Sequence, residues 1–202
     1  MPHDDRRCPF DRAHKLHSPE RHQEHPPEPV VQALELQPDS QVLDLGVGTG
    51  FHAIPVARAL GPAGRVLGVD IEPRMLELLK QRARDAGVAE RIVPLGVDPQ
   101  RPQRLPLDHD SVDRALLCCL YHELPDPAGS LAELARVLRP DGARLLIVDW
   151  PPEGRSDKGP PVDHRVPRAR VTRTLAAAGF VPVEALPLYD DLYALRAGLN
   201  RR

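Results

Sequence analysis

The sequence predicts an α/β domain built on a doubly wound, mostly parallel sheet. Three observations predict it: short apolar segments alternate with helical patterns, one apolar segment runs straight into a glycine-rich turn and a helix, and the last two strand patterns have no helix between them. Strands separated by helices pair in parallel, whereas two consecutive strands close as an antiparallel pair. We therefore expect seven strands, one of them reversed near the C-terminal edge.

Local signals bound each element. Helix starts and stops follow the position of proline and glycine: Pro55 lies in a first helical turn, where its missing N–H removes no hydrogen bond, and Gly87 ends the next helix. The predicted strands are 41–45, 65–69, 91–97, 111–118, 143–149, 180–186 and 192–196. The predicted helices are 28–36, 51–60, 72–87, 129–138 and 167–178. Right-handed crossovers bring the carboxyl ends of the parallel strands to one edge of the sheet, where we expect the ligand.

Length and composition limit the classes of function. The 202 residues suffice for one domain, predicted at 27–202, preceded by a polar arm or lid at 1–26. The 27 basic and 29 acidic residues are not segregated, which argues against nucleic acid as a partner. No apolar run reaches membrane-spanning length, so no membrane partner is expected. Three cysteines, two of them adjacent, cannot form a disulfide framework, and we expect a cytoplasmic monomer or homodimer.

The glycine-rich turn identifies the kind of ligand. Asp44 lies two residues before Gly46, and the turn continues as G-x-G-x-G to Gly50. A dinucleotide fingerprint, G-x-G-x-x-G, would require its third glycine where this chain has Phe51. A carboxylate at the strand end repels a pyrophosphate and attracts an ammonium group. These features disfavour a nicotinamide enzyme and favour S-adenosylmethionine, which carries such a group.

With this turn, the chain resembles the class I S-adenosylmethionine-dependent methyltransferases from about Pro27 to Ala197, in particular small bacterial ones related to quinone biosynthesis. The resemblance implies a Rossmann-like seven-stranded sheet. It also implies that the amino-acid end of the cofactor is surrounded by Asp44, Gly46, Gly48 and Gly50, and that Asp70 binds the ribose hydroxyls. The resemblance further implies contacts to adenine from Ile71, Met75 and Asp98, and an approach of Cys118 to the methionine amino group.

Methyl transfer from a sulfonium is an in-line displacement that mainly needs orientation and exclusion of water. A base is required only where the acceptor must lose a proton. After the fourth strand, His122 and Tyr121 are the candidate bases and Glu123 could orient the histidine. The alternative is that Tyr121 and His122 only open a helix or pack under the strand.

Candidate acceptor-binding residues lie beyond the fifth strand. Trp150 could line an acceptor pocket or belong to the core, and His164 and Arg165 could bind an anionic acceptor or be ordinary surface residues. We expect an unidentified small-molecule acceptor. The alternative function is a cofactor-binding protein without turnover, such as a sensor or partner subunit.

The arm is rich in metal-ligating residue types. Two His-x-x-His pairs, with a cysteine before them, have a spacing that can chelate a transition metal, but nothing else resembles a metal motif, so we predict a solvated arm and no metal. The residues are Cys8, His14, His17, His22 and His25. The adjacent Cys118 and Cys119 are predicted to be buried small apolar residues.

Overall fold

The computed structural model describes residues 9–98, 101, 104–153 and 157–200, and it contains a seven-stranded sheet. Its order is β3-β2-β1-β4-β5-β7-β6. Strand β7 runs antiparallel to both β5 and β6, and the other neighbouring pairs are parallel, which confirms the predicted fold class. The strands are Gln41–Leu45 (β1), Arg65–Asp70 (β2), Ile92–Gly96 (β3), Arg114–Cys118 (β4), Arg144–Asp149 (β5), Phe180–Leu186 (β6) and Tyr193–Leu199 (β7).

Helices cover both faces of this sheet, and the described residues also form four 3-10 segments. The helices are Pro19–Glu24 (α1), Glu28–Ala33 (α2), Ala53–Ala59 (α3), Pro73–Asp85 (α4), Pro127–Val137 (α5) and Arg168–Ala177 (α6). The 3-10 segments are Phe10–His17, Ala89–Arg91, Tyr121–Glu123 and Val162–His164. No helix within the described part of the chain is long and apolar enough to cross a membrane.

Two apolar clusters form the core, one on each face of the sheet. Neighbouring strand residues alternate between them: Val42 joins the cluster with α2, α3 and α4, whereas Leu43 joins the cluster with α5 and α6. Leu116 and Leu117 of β4 divide in the same way, and all four side chains are fully buried. Because both faces of these central strands are covered, consecutive residues in each strand are apolar, Val42 and Leu43 in β1 and Leu116 and Leu117 in β4.

Several boundaries differ from prediction because side-chain and tertiary contacts set them. Helix α4 begins one residue late, since Glu72 is its N-cap and its side chain accepts a hydrogen bond from Arg74 N at 3.1 Å. Helix α5 begins two residues early, since Asp126 caps it by accepting from Gly129 N at 2.9 Å. Strand β7 extends three residues beyond the predicted end, because it pairs with strands on both sides and Gly198 still pairs with Arg144 of β5.

The strand order reverses at β1, which lies between β2 and β4. In a doubly wound sheet, this reversal opens a crevice at the carboxyl ends of the strands. Asp44, Asp70, Cys118 and Asp149 are all located at or next to the carboxyl end of their strand. The fold therefore collects these four side chains along one edge.

The arm, residues 9–26 in the described structure, folds back over this edge. Leu16 lies 3.4 Å from the position that a Cβ on Gly48 would occupy. The arm is tied at its other end to the segment before β7: Tyr189 donates to Pro26 O at 2.6 Å, and the ring of His25 bonds to Asp191 at 2.7 Å. These contacts place the arm against the glycine-rich turn.

Candidate functional site

The glycine-rich turn adopts a backbone conformation that only glycine takes without strain. The φ angles of Gly46, Gly48 and Gly50 are +73°, +53° and +90°. A Cβ on Gly46 would lie 2.6 Å from a methyl of Leu120, and one on Gly50 would lie 2.5 Å from a methyl of Leu79. All three glycines are therefore required by the turn, and Gly46 and Gly50 are also required by the close packing around it.

Asp70 connects the turn to the end of β2. One oxygen of its carboxylate accepts a hydrogen bond from Gly48 N at 2.8 Å and the other accepts from Glu72 N at 2.9 Å. Burial raises the pKa of this carboxyl above its ordinary value, although both backbone bonds act in the opposite direction. Each oxygen of a carboxylate has more than one acceptor position. Asp70 can therefore hold the turn and still accept hydrogen bonds from a ligand.

Asp44 has the most unusual environment in the site. Asp44 is only 5% exposed, and no donor among the described residues forms a hydrogen bond with its carboxylate. Burial and the neighbouring charge of Asp70 raise its pKa to about 7, against the opposing positive charge of Arg21. Burying a carboxylate without a partner is costly. A cationic group of a ligand would therefore stabilise the carboxylate of Asp44.

A second buried pair lies where β4 and β5 end side by side. The Nδ1 atom of His122 is 2.7 Å from one oxygen of Asp149, and the other oxygen accepts from His122 N at 3.0 Å. Asp149 also accepts from Trp150 N at 2.8 Å and is fully buried. Burial alone would lower the pKa of His122, but the hydrogen bond and charge of Asp149, with the charge of Glu123, raise it overall. Because Asp149 holds Nδ1–H, the other ring nitrogen is available to accept a proton.

Glu123 is placed differently from its predicted role. Its carboxylate lies 3.8 Å from His122 Nε2, whereas Asp149 forms the short contact to Nδ1. Asp149 is therefore the residue that orients the ring, and Glu123 adds a negative charge on the side of Nε2.

The adjacent cysteines lie between these two acidic centres. Cys118 Sγ is 3.8 Å from His52 Nε2, and Cys119 N donates to Val148 O at 2.8 Å. Burial lowers the pKa of His52 to about 3, assisted by the positive charge of Arg21. His52 is therefore a neutral ring near neutral pH. Both thiols are free and only partly exposed, rather than fully buried as predicted.

With this geometry in view, the chain matches the model of the family described as "Methyltransferase domain" over residues 42–142, half of its length. It is 34% identical over 116 residues to the demethylmenaquinone methyltransferase of Lactiplantibacillus plantarum, covering 57% of this chain and 47% of that protein. It is 33% identical over 125 residues to the nocamycin O-methyltransferase of Saccharothrix syringae, covering 61% and 42%. The chain thus aligns with less than half the length of either relative.

A solved structure extends the similarity to almost the whole chain. The S-adenosylmethionine-dependent methyltransferase from Aquifex aeolicus superimposes with a TM-score of 0.85 at 28% identity, covering 95% of this chain and 98% of that one. The chain belongs to the class I S-adenosylmethionine-dependent methyltransferase family. The cofactor of this family is S-adenosylmethionine, and Asp44, Asp70 and the glycine-rich turn are chemically suited to its ammonium and ribose groups.

Within the methyltransferase fold, the other residues assigned to the cofactor are placed unequally. Met75 is 4% exposed in the first turn of α4, and Ile71 is half-buried directly after β2. Cys118 is the last residue of β4, next to β1. Asp98 is exposed, two residues beyond the end of β3. The roles of these four residues in binding adenine or the methionine group remain predictions.

Among the candidate acceptor residues, Trp150 and Arg165 are engaged within the protein. The guanidinium of Arg165 donates to the carbonyl oxygens of Pro160, Pro151 and Lys158, and its carbon lies 5.4 Å from the centre of the Trp150 ring. Trp150 is 8% exposed and is also packed against Gly159. These contacts favour a structural role for both residues, which hold the loop after β5 in place.

The two remaining candidates, Tyr121 as a base and His164 as an acceptor contact, differ in whether the protein itself engages the side chain. Tyr121 is 2% exposed in the apolar cluster with α5 and α6, and burial raises the pKa of its hydroxyl, which favours the packing alternative over a role as base. His164 has a buried Nδ1 without a hydrogen-bond partner among the described residues. A contact from His164 to an acceptor remains a prediction.

Sequence reasoning missed two residues of the site, Asp149 as the partner of His122 and Arg21 as a charge near Asp44. A signal for the first was present, since Asp149 is a polar residue at the end of a buried strand. Nothing local marks Arg21, which reaches the site only because the arm folds back. In the part of the chain that the structure describes, no three His, Cys, Asp or Glu residues are grouped as metal ligands, and Cys8 lies outside that part.

Proposed function

We propose that this protein transfers a methyl group from S-adenosylmethionine to a small-molecule acceptor. The observation that carries the proposal is Asp44, a buried carboxylate without a hydrogen-bond donor, located at the entrance of a glycine-rich turn. A sulfonium cofactor with an amino-acid end supplies the cation that this carboxylate lacks. The names of the two relatives, which methylate demethylmenaquinone and nocamycin, support an acceptor of small-molecule size.

In the proposed mechanism, Asp44 pairs with the ammonium group and Asp70 accepts the ribose hydroxyls. The bound cofactor supplies an electrophilic methyl group on a positively charged sulfur. Where the acceptor is a hydroxyl or another acidic group, Nε2 of His122 would take its proton as the methyl–acceptor bond forms and the methyl–sulfur bond breaks, with neutral S-adenosylhomocysteine as the leaving group. Asp149 keeps Nδ1–H of the ring in place and stabilises the imidazolium that results. The buried position of this pair limits access of competing water.

We also propose a cytoplasmic location, which the free thiols of Cys118 and Cys119 support. Whether the enzyme acts as a monomer or as a homodimer is answered by its mass in solution.

Calorimetric titration tests the cofactor. We expect micromolar binding of S-adenosylmethionine and S-adenosylhomocysteine and no heat from NAD. Incubation with S-adenosylmethionine and a panel of quinols, phenols and hydroxylated macrolides should then release S-adenosylhomocysteine with at least one acceptor. Binding without product from any acceptor would favour the non-catalytic alternative, and binding of NAD alone would overturn the assignment.

The raised pKa of Asp44 predicts that cofactor affinity depends on pH. Because its pKa in the free protein is about 7, the carboxyl is mostly protonated at pH 6 and must release its proton to pair with an ammonium group. The affinity for S-adenosylhomocysteine should therefore increase about tenfold for each unit by which the pH is raised towards 7, and it should level off above pH 7. Titration calorimetry from pH 5.5 to 7.5, in buffers of different ionisation enthalpy, measures both the affinity and the proton release. In Asp44→Asn the affinity should be weaker and independent of pH over this range; a pH dependence retained in that variant would exclude Asp44 as its source.

A further inference from the structure

Arg21 of helix α1 lies against Phe51, at the end of the glycine-rich turn. Its guanidinium carbon is 4.3 Å from the centre of the Phe51 ring, and Phe51 is the residue that follows Gly50. One nitrogen donates to Leu16 O at 3.2 Å. No carboxylate among the described residues forms an ion pair with this side chain. A partly buried cation without an anion is therefore held beside the site.

Apart from the bond to Leu16 O, the guanidinium of Arg21 forms no hydrogen bond with a described residue. Stacking uses the flat face of the group, whereas its N–H donors point outward in the plane. Those donors match a carboxylate, which a guanidinium binds through two parallel hydrogen bonds. Arg21 therefore has N–H donors that could bind a carboxylate of a ligand.

Arg21 is also close enough to Asp44 to act on it electrostatically. Burial raises the pKa of Asp44 and the positive charge of Arg21 opposes this rise, whereas burial lowers the pKa of His52 and the same charge lowers it further. An anion, Asp44, and a cation, Arg21, each without an ion-pair partner among the described residues, therefore lie near the turn. A ligand that satisfies both must carry an ammonium and a carboxylate group close together, as an α-amino acid does.

We propose that Arg21 binds the carboxylate of the cofactor's methionine moiety while Asp44 binds its ammonium group, so that the arm forms part of the cofactor site. This inference rests on the proposed function and adds a binding residue to it. The ties that hold the arm explain how a residue so early in the chain reaches the site. Ser18 caps α1 by accepting from Arg21 N at 3.2 Å, and His25 and Pro26 are bonded to Asp191 and Tyr189.

The test compares ligands that differ only at the amino-acid end. S-adenosylmethionine carries both charged groups, decarboxylated S-adenosylmethionine keeps the ammonium alone, and 5′-methylthioadenosine has neither. Arg21→Met, which retains the stem that packs on Phe51, should weaken binding of S-adenosylmethionine by about 10- to 100-fold. The same variant should bind the decarboxylated analogue and 5′-methylthioadenosine as the unaltered protein does.

Controls separate this role from a structural one. Arg12→Met, an exposed arginine on the same arm, should leave the affinity for all three ligands unchanged. Asp44→Asn should weaken binding of both ligands that contain the ammonium group and leave 5′-methylthioadenosine unaffected. Arg21→Lys keeps the charge and should show the same ligand selectivity with a smaller loss, which provides a second variant if Arg21→Met does not fold.

The outcomes are distinct. Equal losses for all three ligands in Arg21→Met would show that Arg21 only anchors the arm, and unchanged affinity for S-adenosylmethionine would show that it does not contact the cofactor. Either result overturns the inference and leaves the proposed function intact. If the unaltered protein binds none of the three ligands, the proposed function itself fails.

Discussion

Replacement of His122 by alanine is expected to lower kcat by about 10²- to 10⁴-fold, which is the usual contribution of a positioned general base. The reason is geometric: Asp149 holds the Nδ1 side of the ring at 2.7 Å, so the proposed mechanism uses the remaining nitrogen, Nε2, as the proton acceptor. The raised pKa of His122 means that more of the ring is protonated, and inactive as a base, at neutral pH. Turnover should therefore rise with pH as the ring loses its proton, and this rise should disappear in the variant.

The measurement is the rate of S-adenosylhomocysteine formation with the acceptor found in the screen. Cofactor affinity, measured separately, should stay close to that of the unaltered protein. His109→Ala, an exposed histidine in a turn, is the matched control and should have normal activity. Asp149→Asn should lower kcat and shift the pH profile, because an amide does not stabilise the imidazolium. Normal turnover by His122→Ala would remove this residue from the chemistry.

Replacement of Asp70 by alanine is expected to weaken binding of S-adenosylhomocysteine by about 100-fold, or roughly 3 kcal/mol. Two losses combine in this variant. The ribose hydroxyls lose a charged acceptor, and the N–H groups of Gly48 and Glu72 lose the bonds that shape the turn. Calorimetric titration measures the affinity, and Asp85→Ala, at the exposed end of α4, is the control.

A ligand series tests the assignment of Asp70 further. Since 5′-methylthioadenosine keeps the ribose, Asp70→Ala should weaken it as well, in contrast to the expected behaviour of Asp44→Asn. Unchanged affinity for both ligands in Asp70→Ala would show that this carboxylate does not bind the ribose.

The sequence predicted those parts of the site that are encoded locally. β1, the turn and the acids at the ends of β1 and β2 follow from a strand, three glycines and a helix in succession, and the bounds of β1 match the prediction. Helix starts deviated where a side chain decides the cap, as at Glu72 and Asp126. Capping is a choice between neighbouring residues that a hydrophobic pattern does not resolve.

The parts that were not predicted depend on contacts between distant segments. Pairing of His122 with Asp149 needs β4 and β5 to be neighbours in register, so a nearer residue, Glu123, was assigned the role of Asp149. Arg165 is an exception, because the three carbonyl groups that bind its guanidinium belong to its own loop, but the residue pattern of the loop does not indicate how it folds around the side chain. Arg21 is the extreme case, since its position depends on ties between the first and last parts of the chain.

Those ties have a consequence for the order in which the protein is made. The arm leaves the ribosome before the segment that binds it, because Tyr189 and Asp191 lie 163 and 166 residues further along the chain than Pro26 and His25. The nascent chain can therefore form β1, β2 and the glycine-rich turn well before the arm has anything to dock on. The glycine-rich turn can therefore fold first, and the arm covers it only after the segment with Tyr189 and Asp191 has left the ribosome.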